Sequence, residues 1–98
     1  MEPSASVEQR IRDRVAALDR YRDVITSCHV TVEAPHHHHQ QGNIFSVHVD
    51  IHVPNKQLAF GRMRHHDQAH EDVYVAIRDA FEAAERGLEH YARDHRTH

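Results

Sequence analysis

Between His70 and Leu88 the chain reads HEDVYVAIRDAFEAAERGL, and this stretch constrains the fold more than any other. Its apolar residues fall at Val73, Ile77, Ala80, Phe81, Ala84 and Leu88, with Tyr91 following, in steps of three and four. That spacing gathers them on one stripe of an α-helix. Arg78, Glu82, Glu85, Arg86, Glu89 and Arg93 occupy the remaining faces, so one side packs and the others meet water or a partner. A helix running from Asp72 to Arg93 is about 33 Å long at 1.5 Å per residue. A helix of that length with one apolar stripe needs a broad surface to lie on.

The composition suits one globular domain. Ninety-eight residues, 39% hydrophobic and 28% charged, predict a single domain over residues 6–95, with short flexible termini at 1–5 and 96–98. No apolar run approaches the roughly 18 residues that span a bilayer, and no charged-then-apolar leader opens the chain. Cys28 is the single cysteine and has no internal disulfide partner, which suits a reducing compartment. A cytoplasmic protein without membrane contact is expected. The formal net charge of −3 counts all 13 histidines as neutral. Histidine titrates near pH 6.5, about where mild acid sets in, so acidification turns the chain cationic. The placement of the arginines therefore decides whether an anionic partner fits. Of 12 basic residues only Lys56 is a lysine, and the planar fork of arginine suits phosphate and carboxylate.

Taken in order, Ser6 with Gln9 three residues on reads as a capping box opening a helix. Val7, Ile11, Val15, Leu18 and Tyr21 trace its apolar stripe up to about Val24. Arg10, Arg12, Arg14, Arg20 and Arg22 stand around it, offset by Glu8, Asp13, Asp19 and Asp23. Residues 27–33, SCHVTVE, then alternate strictly, with Cys28, Val30 and Val32 on one face. The segment APHHHHQQGN, 34–43, reads as a connecting loop. From Ile44 to Val53 the alternation returns over a longer span: Phe45, Val47, Val49, Ile51 and Val53 face one way, Ser46, His48, Asp50 and His52 the other. Pro54 and Asn55 mark a turn, residues 57–62 form a third strand with Leu58 and Phe60 inward, and Arg64 to Ala69 is a polar connection. The order is α-β-β-β-α. An α+β fold, with an antiparallel sheet carrying two helices on one face, buries all five apolar stripes at once.

Three pieces of the chain resemble one family. His70-Glu71-Asp72-Val73-Tyr74-Val75-Ala76-Ile77 is similar to the opening of its last helix, and Glu85-Arg86-Gly87-Leu88 stands where an acid-Arg-Gln-Leu pattern is usual. Ile11 to Tyr21 looks like the close of its first helix, and Val53-Pro54-Asn55 like its hairpin. On these residues, covering Ser6 to about Arg93, the chain resembles the ribosome hibernation-promoting factors, also called ribosome-associated translation inhibitors or sigma modulation proteins. The resemblance implies a β-α-β-β-β-α domain that sits in the messenger and transfer RNA channel of the small ribosomal subunit, contacts ribosomal RNA and inhibits translation during stress or stationary phase. With only five residues ahead of Ser6, the first strand of that pattern is expected to be missing. The strand at 27–33 is then an exposed edge, open to pairing with a second copy. The family is commonly basic, whereas this chain is nominally acidic.

The arginines read in two ways. As a solvated face with acidic neighbours they contribute tenths of a kcal/mol. As phosphate ligands they form an RNA surface, and the resemblance favours that role, matching Arg14, Arg20, Arg86 and Arg93 by position. The full RNA-binding set expected is Arg10, Arg14, Arg20, Arg22, Arg62, Arg78, Arg86 and Arg93. Histidines close to these arginines would add positive charge on acidification. His36 to His39 bind transition metals as any histidine run does, but a loop holds no fixed ligand geometry. His48, Asp50 and His52 share a strand face with about 7 Å between alternate Cα atoms, wide for one ion, and read as a solvated polar face. His66 and His70 lack the glutamate of HExxH. Cys28 reads as a small core residue, and Tyr74 and Tyr91 as residues at the edge of the core. No nucleophile–base set, glycine-rich phosphate loop, metal site or cofactor is expected, so binding without catalysis is the reading. Two others compete: a general double-stranded RNA-binding domain, which shares the α-β-β-β-α order but usually opens its last helix with lysines, and a histidine-rich metal-binding protein.

Overall fold

Alternation and helical spacing produce the expected elements in the expected order. The structure, a computed structural model, describes residues 5–33, 45–61, 69–70 and 72–96. Helix α1 spans Ala5–Ala16 and runs into a 3-10 helix at Ala17–Tyr21. Strands β1 (Ser27–Glu33), β2 (Phe45–Val53) and β3 (Lys56–Phe60) follow, then a two-residue strand β4 (Ala69–His70) and helix α2 (Val73–Arg96). The fold is α+β with an antiparallel sheet, as read from the sequence. The added strand β4 falls at the end of the supposed polar connection and pairs with Phe45 and Ser46 at the start of β2. The loop at 34–43, Arg62 and the connection up to Gln68 lie outside the described residues.

The sheet order is β1-β2-β3, so β2 is central and β1 is an edge among the described residues. The register aligns its apolar residues in rows: Val30 opposite Val49 opposite Phe60, and Cys28 opposite Ile51 opposite Leu58. Every second residue of β2 from Val47 to Val53 is buried under α2. The hairpin at Pro54-Asn55 is tight, with Val53 paired to Lys56 and Asn55 at φ 67°. Proline first and a left-handed Asn second is the signature of a type II turn.

Helix α2 supplies the other half of the core. Ala76, Ile77, Ala80, Phe81, Ala84 and Leu88 are fully buried, and Tyr91 and Ala92 nearly so. Burying side chains the size of Ile77, Phe81 and Leu88 contributes about 1.5–3 kcal/mol each. Asp72 caps the helix: its carboxylate accepts the Tyr74 N–H at 2.9 Å, and its carbonyl accepts the Val75 and Ala76 N–H groups at 3.1 Å. At 24 residues the helix is about 36 Å long, slightly longer than the sequence stripe suggested.

The first helix departs from expectation in two places. It has begun by Ala5, so Ser6 lies inside it; the Ser6 hydroxyl hydrogen-bonds Tyr74 Oη at 2.9 Å, and Gln9 turns its amide forward to Asp13. Val15, placed on the apolar stripe by spacing, is 38% exposed. The helix tightens to 3-10 geometry immediately after it, which carries Leu18 and Tyr21 into the core and leaves Val15 on the rim.

Candidate nucleic-acid interface

Helices α1 and α2 start side by side on the covered face of the sheet. The Arg10 guanidinium lies 4.8 Å from the centre of the Tyr74 ring, next to the Ser6–Tyr74 hydrogen bond. Arg78 is one helical turn beyond Tyr74 and so shares the α1 flank of α2. Arg86 lies two turns farther on, on the outward side of α2, and lines a groove against β3 with Gly87 and His90. Arg78, Arg86 and Arg93 stand within about 80° of one another at 100° per residue, so they form one row along the outward side of α2. Tyr74 is half-buried and engaged by α1, and Tyr91 is buried with its hydroxyl donating to the Pro54 carbonyl at 3.4 Å.

Several arginines have acidic neighbours. Arg22 reaches Asp19 at 3.7 Å, Arg78 reaches Asp79 at 3.1 Å, and Arg93 reaches Glu89 at 3.5 Å. Arg20 stands 5.6 Å from the Tyr21 ring centre. The Arg22 and Arg93 pairs are solvent-exposed, a setting in which an ion pair is worth about 0–1 kcal/mol, so a phosphate oxygen can displace the carboxylate at little cost. Arg14 and Arg86 have no ion pair among the described residues, and neither has Arg12, which the expected RNA-binding set omits. Arg62 lies outside the described residues. Charge is nearly balanced along both helices: four arginines against three acids over 5–21, and four against five over 73–96.

The histidines of the sheet sit elsewhere. His48 and His52 alternate on the face of β2 opposite the helices, and His29 joins them from β1, opposite Asp50. His48 Nε2 is 3.1 Å from Glu33 Oε1, while its Nδ1 is buried without a partner among the described residues. The His29 and His52 rings meet edge to face at 6.3 Å. Asp50, on the central strand among His29, His48 and His52, is only 7% exposed, so the expected solvated polar face is corrected at this residue. No three His, Cys, Asp or Glu side chains among the described residues are placed to hold a metal ion. This face points away from the arginines; among the described side chains only His90 shares their surface. The condition for acid-strengthened binding, histidines close to the arginines, is not met by the sheet histidines, because strand alternation sends them to the side opposite the helices.

Cys28 faces the helices and is half-buried, as expected. Burial, with a smaller contribution from the Asp50 charge, raises its thiol above the ordinary value of 9.0. A folded-state value above the unfolded one gives stability that is full below pH 9 and declines as pH rises through the folded value. Alkylation with iodoacetamide at pH 8 is therefore expected to run slower on the folded chain than on the urea-unfolded chain, and a Cys28→Ala variant should lose the alkaline decline. Equal alkylation rates would contradict this placement.

The family model for sigma 54 modulation protein / S30EA ribosomal protein matches residues 1–96. No curated protein matches the chain. No helix is long and apolar enough to cross a membrane among the described residues.

Proposed function

Because the chain belongs to the sigma 54 modulation protein / S30EA ribosomal protein family, we propose that it binds the small ribosomal subunit in the messenger and transfer RNA channel and inhibits translation during stress or stationary phase. A cytoplasmic location goes with this reading, as the place where a ribosome-associated protein meets its subunit. The family match over nearly the whole chain carries this reading, and the paired helices supply a means. Arginines along the outward side of α2, and on α1 beside it, present planar forks to the phosphates of folded ribosomal RNA. Contacts of this kind read backbone position and shape more than base identity. The function is one of binding and needs no chemistry.

The double-stranded RNA-binding alternative fits less well. The last helix here opens with Asp72 as its cap, a negative charge where that fold uses lysines for phosphate. Cosedimentation with purified small subunits, in the presence of excess free duplex RNA, tests the choice. Retention in the pellet supports the ribosomal reading, and complete displacement by duplex overturns it.

A second copy of the chain is the other proposed partner. β1 is a sheet edge whose Cys28, Val30 and Val32 are half-buried, and a hollow of about 180 Å3 lined by Val15, Leu18, Ile25 and Cys28 lies beside it. Antiparallel pairing of two β1 strands about Val30 would cover these residues and place Glu33 of one copy diagonal to His29 of the other. Sedimentation equilibrium is expected to show a monomer–dimer equilibrium that Val15→Asp weakens. A single monomeric species at every concentration would sink the idea.

A further inference from the structure

We propose that the groove between the outer edge of β3 and helix α2 takes one unpaired RNA base together with its flanking phosphates. The proposal rests on the ribosome-binding reading and specifies what part of the RNA this flank of α2 contacts. The groove holds about 510 Å3, within the roughly 300–1,000 Å3 typical of small-ligand sites. Leu58 and Phe60, both half-buried, give it an apolar floor. Lys56 and Arg86 stand on its walls as cations, and His90 lies 3.9 Å from Asp94, the one acid of the lining. Neither Lys56 nor Arg86 has an ion pair among the described residues.

Three features together define the occupant. The floor wants an apolar face. The β3 backbone has no further strand beside it among the described residues along Lys56–Phe60, so its outward N–H and C=O groups can meet a polar edge. The cationic walls want negative charge on either side. An unpaired base has a planar apolar face, a hydrogen-bonding rim and a phosphate at each end. Duplex RNA presents phosphates but hides the base faces. An acidic peptide laid along β3 could use the edge and the cations, yet brings no planar group to the floor.

Gly87 sets the depth of this groove. A Cβ at position 87 would stand 2.4 Å from Phe60 Cζ, so the ring tip occupies the space that a side chain would take. The sequence pattern this chain resembles usually carries glutamine there, which would push the ring outward and fill the groove.

The test uses the full chain and an adenosine octamer RNA carrying one 2-aminopurine, read by anisotropy and by quenching of the stacked base. Phe60→Leu and Lys56→Ala are each expected to weaken binding about tenfold, with Phe60→Leu also reducing the quench. Should Phe60→Leu not fold, Lys56→Ala alters an exposed residue and carries the test alone. Wild-type affinity in the variants, or displacement of the octamer by a 12-base-pair duplex or a glutamate octapeptide, overturns the proposal. Parallel cosedimentation with small subunits separates the two claims. Pelleting of the wild type with octamer binding insensitive to both variants sinks the groove alone. Failure to pellet, with the variant pattern intact, sinks the ribosomal reading and leaves the groove as a single-strand site.

Discussion

Changing Arg86 and Arg93 together to glutamate is expected to weaken binding to the small ribosomal subunit by a hundredfold or more. Each guanidinium is an exposed group on α2; Arg86 has no ion pair among the described residues, and Arg93 has an exposed one to Glu89. A charge-assisted hydrogen bond to phosphate is worth about 1.5–3 kcal/mol, so losing two removes about 3 kcal/mol or more, roughly a hundredfold in affinity. Reversal adds repulsion to that loss. Both side chains lie outside the core, so the thermal midpoint should move little. The charge balance of the helices makes this a sharp test. With four arginines against five acids on residues 73–96, general cationic attraction is weak, and binding must come from where the arginines stand. Full retention of affinity in the double variant would remove α2 from the interface.

The largest effect on stability is expected at Gly61. Its φ is +85°, in the left-handed region, and a Cβ there would lie 2.0 Å from the Val47 carbonyl oxygen. Left-handed backbone costs a non-glycine residue about 1–2 kcal/mol. The contact adds more, because the carbonyl belongs to the central strand and cannot swing aside as a side-chain tip can. Gly61→Ala should therefore lose about 3 kcal/mol or more, which for a domain of this size lowers the melting midpoint by roughly 12–24 °C. Asn55, at φ 67°, is the control. Asn55→Gly relieves a left-handed residue in an open turn and should stay within about 0.5 kcal/mol of the parent. A Gly61→Ala protein that melts like the parent would mean that the exit from β3 is not held as described.

Much of this architecture was legible in the sequence because the burial rules are periodic. The run Val73, Ile77, Ala80, Phe81, Ala84, Leu88 fixed the buried side of α2, and the strict alternation of 45–53 fixed the two faces of β2. Pro54-Asn55 announced the hairpin. What escaped has no period to read. Two residues, Ala69 and His70, are too few to show alternation, so β4 could be found only from its pairing with Phe45 and Ser46. Val15 matched a helical stripe, but a change from α to 3-10 geometry one residue later turned the chain beneath it.

The candidate site was less legible than the fold. Residue type and spacing picked out arginines but not which neighbouring element each one borders. That depends on α1 lying against Tyr74 on one side and β3 against Gly87 on the other. Nor did spacing give their partners: Arg78 pairs with its neighbour Asp79, not with an acid a turn away. Lys56, on the short third strand, gained interest only when the groove brought it near Arg86 and His90.

The most direct test of the ribosomal RNA contact is the affinity of the chain for purified small subunits, measured by cosedimentation from 50 to 200 mM salt. If six to ten phosphates are neutralised, affinity should fall by roughly 10³ to 10⁵ across that range, steeply and linearly on logarithmic axes. An affinity that stays flat over the same range would contradict the account.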